Sequence, residues 1–334
     1  MVSALIPAFN AAATIGRALD SVYAQTYDGP IEIIVVDDGS TDATAEIVRD
    51  RFPKVTLIRQ ENCGPAAARN RAAAVASGEF LAMLDADDQW LPEKTQRQLT
   101  VLTQEPSIGA VATNGTVVAS ERRYPWMHTG GPRLRELSVR ELLLGHRLPI
   151  GPSTVCRTQV FHALGGYDRD IRCGEDLDLF CRIVATGLRF VALNEPLYTY
   201  TRGEGTITGR GVIEHARDIL RVVEKMDPRV DHEGYRSPLT LREFSNILGE
   251  RILCLAWAHL ARGEHEQAHA YMRRLHDLPA SGPVLRALAR LAQGNRLVFQ
   301  AIFTFERRLR HLEHFVRRWG LVGATRHYLS GRSS

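Results

Sequence analysis

The chain has no paired cysteines, no long apolar run and no histidine metal motif, and each absence removes a class of protein. Its five cysteines, at 63, 156, 173, 181 and 254, are odd in number and form no CxxC pair. They read as reduced, mostly buried thiols of a cytoplasmic protein. No segment reaches about 18 uncharged apolar residues, so no spanning helix is expected. The first residues, Met1-Val2-Ser3-Ala4-Leu5-Ile6-Pro7, lack a basic n-region and a long h-region, so no signal peptide is expected. The twelve histidines show no HExxH spacing and read as surface or packing residues. No GxGxxG follows the first apolar run, which argues against a dinucleotide dehydrogenase.

What is present is a soluble globular composition, 44% hydrophobic and 24% charged over 334 residues, enough for one large domain or two ordinary ones. Charge is unevenly spread. Residues 207–334 carry 21 basic and 13 acidic groups, whereas residues 1–206 carry 21 basic and 25 acidic. The stretch Val284–Ser334 has ten arginines against two glutamates. A basic tail after an acidic body suggests an anionic lipid, nucleic-acid or protein partner for the tail.

The most informative stretch is Phe80-Leu81-Ala82-Met83-Leu84-Asp85-Ala86-Asp87-Asp88. A short continuous apolar run reads as a buried strand. This one delivers three carboxylates to the carboxyl edge of a sheet, where open α/β sheets bind ligands. Crowded carboxylates need a cation, a donor or water, and hard oxygens suit Mg2+ or Mn2+ shared with substrate phosphates. A solvated turn or a helix cap is the alternative. An EF-hand is excluded, because Trp90 stands where glycine is needed and Gln96 where glutamate is needed.

The chain before it supports the ligand reading. Val2–Phe9, Ile31–Val36 and Val55–Arg59 read as strands, and Ala11–Tyr23, Ala43–Phe52 and the alanine-rich stretch after Gly64-Pro65 as helices. Thr14 or Asn10 is expected to cap the first helix. The alternation predicts a parallel, doubly wound sheet. The second strand also ends in carboxylates, Asp37-Asp38. Lys94–Gln104 reads as a helix, Gly109–Ala119 as a strand and Glu121–Pro132 as a loop. Glu175-Asp176 opens a helix with apolar Leu179, Phe180 and Ile183, and anions are favoured at such a start. Phe190–Leu193 and Leu197–Tyr200 read as two extended segments.

Six segments together resemble family-2 glycosyltransferases of the GT-A fold: Ile-Pro-Ala-Phe-Asn from Ile6, Val-Val-Asp-Asp-Gly-Ser-Thr-Asp from Val35, Asn-Cys-Gly-Pro-Ala-Ala-Ala-Arg-Asn from Asn62, Leu-Asp-Ala-Asp-Asp from Leu84, Leu-Gly-Gly-Tyr-Asp from Leu164 and Gly-Glu-Asp-Leu-Asp-Leu from Gly174. The resemblance covers about residues 1–206. It implies an α/β, Rossmann-like GT-A domain there, with a donor half of about 1–105 and an acceptor half of about 106–206; residues 207–334 lie outside the resemblance and read as an all-α, basic region. It implies inverting sugar transfer from a nucleotide-diphosphate donor, UDP before GDP or dTDP, in a cell-surface glycan pathway. Pro7, Ala8 and Phe9 would line the nucleobase pocket and Asp38 would accept a hydrogen bond from the base. Arg69 would lie beside base and diphosphate, Asp85 would face the ribose or sugar, and Asp87 would bind Mg2+ or Mn2+. Asp176 would be the catalytic base, with Glu175 supporting it or meeting the acceptor. The family's Tyr-x-Tyr-Arg-x-His pattern is broken at Tyr198-Thr199-Tyr200-Thr201-Arg202-Gly203, and Thr206 replaces the usual serine.

One other enzyme reading and two binding readings compete with this. A nucleotidyltransferase should carry a Gly-rich, basic first loop, which Pro7–Ala11 is not. A degenerate, non-catalytic scaffold predicts loss of Asp87 or Asp176, and both are present. No nucleic-acid motif accompanies the basic residues. Residues 207–334 read as helical throughout, with a hairpin at Phe244–Arg262 and Glu266–Leu275. The basic amphipathic stretch Leu297–Trp319 suits either a solvated face or an anionic membrane surface, peripheral on the cytoplasmic side.

Overall fold

The computed structural model describes residues 1–119, 122–125, 132–144, 151–202, 212–276 and 278. The basic stretch 297–319 and the departures at Gly203 and Thr206 lie outside them. Two compact units divide the chain, Met1–Ile247 and Leu248–Ser334.

In the first unit β1 (Val2–Ala8), β2 (Ile31–Asp37), β3 (Thr56–Arg59) and β4 (Phe80–Met83) alternate with α1 (Ile15–Tyr23), α2 (Thr44–Arg51) and α3 (Pro65–Val75). All four strands are parallel, in the order β3-β2-β1-β4. Their carboxyl ends therefore share one edge, with Ala8 level with Asp37 and Leu5 level with Met83. The expected cap of α1 takes another form. Thr14 occupies the cap, but its hydroxyl donates back to the Ala11 carbonyl.

A second group follows: β5 (Gln89–Trp90), α4 (Lys94–Gln104), β6 (Ile108–Ala119), β7 (Arg122–Pro125), β8 (Leu134–Glu136), α5 (Val139–Leu144), a 3-10 turn at Gly151–Ser153, β9 (Thr154–Arg157), α6 (Thr158–Ala163), α7 (Glu175–Ala185) and β10 (Arg189–Arg202). Strand β9 lies between β4 and β6, antiparallel to both, and joins the two groups into one sheet. Beyond β6 come β10, parallel, and β5, antiparallel.

Three expectations need correction. Residues 122–125, read as loop, pair with β6 as β7. The two segments at 190–200 form one strand, whose register slips around Pro196 because proline has no N–H for the ladder. The region after 206 is helical at α8 (Val212–Glu224), α9 (Leu241–Ala261) and α10 (His265–His276), but residues 225–240 are not, and carry an isolated bridge between His232 and Tyr235.

The core follows the period-two rule of strands. Val2, Ala4, Ile6, Ile33, Val35, Phe80 and Ala82 join one cluster with Ile15 and Leu19 of α1, Val48 of α2 and Leu99 and Leu102 of α4. Leu5, Ile34, Val36, Leu81 and Met83, between them, are equally buried and face the other way. There α3 packs on β1 and β2 through Ala66, Ala68, Ala72 and Ala73, whose small side chains let the helix approach closely. In the second unit, Gly263 at φ +76° turns the chain between α9 and α10, and buried His259 meets Glu264 at 2.6 Å and stacks on Tyr271. Among the described residues, no helix is long and apolar enough to cross a membrane.

Candidate active site

Three strand ends meet at the carboxyl edge. From β1 come Pro7, buried Ala8 and Phe9, the last half exposed at 50%. Asn10 follows at φ +49° and accepts the Thr41 N–H, which folds the chain back towards the loop after β2. From β2 come two buried acids. Asp37 pairs with Arg59 at 2.8 Å and accepts the Ser40 N–H. Asp38, 3% exposed, accepts the N–H groups of Cys63 and Gly64 and the Gln60 side-chain amide. A carboxylate has about four acceptor positions, so one remains for a further donor. Those bonds fix the start of α3, where Gly64 adopts φ +88°, a conformation that favours glycine.

From β4 come Asp85, Asp87 and Asp88. One oxygen from each lies within 4.8 Å of the others. Burial, and then the neighbouring Asp85, push the Asp87 carboxyl up to about 6. Burial with Asp85 and Asp87 pushes Asp88 well above the ordinary range. One Asp88 oxygen accepts the Thr201 N–H at 2.9 Å, tying the acidic loop to the end of β10. The other is buried without a hydrogen-bond partner. This crowded set, oxygen-only and with an orphaned acceptor, fits a hard divalent cation.

Arg69 is the positive centre of the site. It projects from α3, is 5% exposed, and donates to Asp85 at 2.5 Å and to Glu175 at 2.7 Å. Its guanidinium lies 5.5 Å from the Tyr167 ring centre. Burial opposes its charge, but Asp85 and Glu175 outweigh burial and hold it well above its usual value. A planar fork that reaches two carboxylates from different segments is a task for arginine rather than lysine. Glu175 opens α7, and burial pushes its carboxyl up to about 7, against the pull of Arg69 and with the help of Asp176. Asp176 accepts the Gly151 N–H at 2.9 Å. Gly151 reaches this edge because β9 runs antiparallel, so its start lies where β4 ends.

All the expected site residues thus lie at one edge or its approaches, and Arg69 links Asp85 directly to Glu175. Sequence reasoning assigned no role to Asp88, Asn70, Tyr167 or Gly151. Asp88 was visible in the acidic motif. Asn70 exchanges two hydrogen bonds with the Tyr167 backbone, both at 2.8 Å, and both residues sit inside motifs already noted. Gly151 had no signal, since its part depends on strand order.

Comparison with known proteins places these observations in company. A family model described as "Glycosyl transferase family 2" matches residues 3–165. An uncharacterized glycosyltransferase of Haemophilus influenzae is 30% identical over 199 residues, covering 59% of this chain and 67% of the relative. Of three curated relatives it matches, the chain spans 43%, 67% and 52% of their lengths. Residues 1–349 of S. aureus TarS in complex with UDP-GlcNAc superimpose with a TM-score of 0.67 at 20% identity, covering 92% of this chain and 91% of that one. The mannosyltransferase PcManGT of Pyrobaculum calidifontis, in complex with GDP-Man and Mn2+, does so with a TM-score of 0.53 at 22% identity, covering 99% and 88%.

Proposed function

The chain belongs to glycosyl transferase family 2 and is a transferase, and from that premise we propose that it moves a sugar from a UDP-linked donor to an acceptor hydroxyl with inversion. One observation carries the reading: two acidic groups from separate segments flank one buried guanidinium, Asp85 with Asp87 and Asp88 on one side and Glu175-Asp176 on the other. Inversion needs a base on one face of the sugar and the leaving diphosphate on the other, and carboxylates on separate segments are suited to that.

Pro7, Ala8 and Phe9 bound the nucleobase pocket, and Asp38 offers its remaining acceptor position to the base. Asp85 faces the ribose or sugar. Asp87, with Asp85 and Asp88, would hold Mg2+ or Mn2+, and the ion when bound supplies a Lewis acid for the leaving diphosphate. Arg69 lies between the two carboxylate groups and adds positive charge beside the diphosphate. Asp176, aimed by the Gly151 N–H, takes the acceptor proton as the hydroxyl becomes acidic in the transition state. Glu175 supports it, its own carboxyl held by Arg69. Residues 1–105 and 106–206 serve as donor and acceptor halves.

The acceptor is a glycan or lipid-linked glycan of a cell-surface pathway. The excess of ten arginines over two glutamates in 284–334 supports docking on an anionic, cytoplasmic membrane face.

Calorimetric titration of UDP, GDP and dTDP with and without Mn2+ tests the donor site. UDP is expected to bind with Mn2+, and Asp87→Ala to abolish the metal-dependent part. Asp176→Asn is expected to keep UDP binding while losing about 100-fold or more in transfer. Absence of any nucleotide binding by the wild type overturns the reading.

A further inference from the structure

The turn that delivers the base is poorly able to hold itself. Residues 164–174 contain three glycines in the left-handed region, Gly165 at φ +73°, Gly166 at +72° and Gly174 at +90°. Glycine gives up the most conformational freedom on ordering. A base must nevertheless stay within about 0.5 Å of its productive place. Something outside the turn must supply that order.

Part of the order comes from known motifs. Asn70 holds Tyr167 through both backbone groups. Arg182, buried on α7, donates to the Leu164 and Gly166 carbonyls and pairs with Asp178, which is 0% exposed.

The rest comes from α8, which lies beyond the family match at 3–165. Asp218, Arg221 and Lys225, just past the helix end, have i, i+3, i+7 spacing and so fall on one face. Each reaches the same turn. Asp218 accepts the N–H groups of Arg172 at 3.3 Å and Cys173 at 3.1 Å. Arg221 donates to the Asp170 carbonyl at 3.2 Å. Lys225 pairs with Asp168 at 2.9 Å and with Asp178, inside α7, at 2.6 Å. Between them Ile219 occupies the space beside Gly174, where an added Cβ would lie 2.7 Å from its Cδ1. Contacts from this helix thus reach Asp168, Asp170, Arg172, Cys173 and Gly174, and Glu175 and Asp176 follow at once.

We propose that Asp218, Arg221 and Lys225 are positioning residues of the transfer reaction, bracing the 168–174 turn so that Asp176 meets the acceptor. The inference rests on the functional reading above. It gives α8 a positioning role, exerted through the turn that it holds.

The full chain and the variants Lys225→Met, Lys225→Arg and Arg221→Gln decide it. The readings are release of UDP from UDP-N-acetylglucosamine and of GDP from GDP-mannose, affinity for the free nucleotide with Mn2+, and hydrogen exchange across 164–178. Lys225→Met is expected to lower kcat about tenfold or more and to speed exchange at 168–173 by a similar factor, with nucleotide affinity within about threefold of wild type. Lys225→Arg is expected to recover most of the kcat. Arg221→Gln, changed at a mostly exposed side chain, is expected to give the same pattern at about threefold, and it decides the matter should Lys225→Met not fold. Wild-type kcat in the variants, or nucleotide affinity falling in step with kcat, overturns the inference. A wild-type chain that binds no nucleotide with Mn2+ and releases none from either sugar overturns the functional reading and this inference with it. Wild-type turnover matched by Lys225→Met overturns the inference alone.

Discussion

Glu175 sits where two demands conflict. Burial favours its neutral form, the Arg69 guanidinium at 2.7 Å favours the charged one, and burial prevails, lifting the carboxyl from 4.5 to about 7. The folded protein therefore holds a proton there that the unfolded chain has released, between about pH 4.5 and 7. The stabilising effect of that proton is complete below the lower value and is lost as pH rises through the upper one. Glu175→Gln cannot titrate and escapes the loss. Urea unfolding at pH 5 and pH 8 should show the variant gaining on wild type with rising pH, by about 1–3 kcal/mol. A variant that instead loses ground as pH rises would mean that Arg69, not burial, governs this carboxyl. Arg69 also shows how a residue can be identified before its role is. Its motif was plain, but the sequence held no sign that one guanidinium spans Asp85 and Glu175, residues 16 and 106 positions away.

At the scale of elements, the contact between Gly174 and α8 offers a double test. Gly174→Ala introduces a left-handed non-glycine residue, at about 1–2 kcal/mol, and a clash with Ile219. Ile219→Ala removes the second cost and leaves the first. Chemical denaturation of the two single variants and the double should therefore show a coupling of about 1 kcal/mol. Simple additivity would place Ile219 clear of the turn. The elements differ in how readable they were. β1, β2 and β4 were legible because each is a continuous apolar run ended by a breaker or an acid. β9 was not, since Thr154–Arg157 is four residues long and mixes apolar with polar ones. It becomes a strand only because β4 and β6 offer it two edges. The stripe on α8 was hidden for a different reason. Asp218, Arg221 and Lys225 look like an ordinary solvated helix face until the turn they hold is in view.

For the molecule as a whole, ligand and stability are linked. Mn2+ with UDP at about 100 times its dissociation constant should stabilise the unit Met1–Ile247 by about 2.7 kcal/mol. For a unit of this size that corresponds to an upward shift of about 5–10 °C in its melting transition by calorimetry. Asp87→Ala should cancel the metal-dependent part. A wild-type transition that ignores both ligands would remove the donor site from this unit. The same unit contains a seam. Strand β9 alone stands between the parallel group β3-β2-β1-β4 and the strands from β6 onward. During synthesis the first group emerges complete by Met83, yet its edge partner arrives some 70 residues later. At about 5–20 residues per second, the wholly apolar Phe80–Met83 edge waits several seconds uncovered. A nascent chain stalled in that interval presents an unpaired apolar strand, so chaperone association is expected to peak in the passage between residues 84 and 157.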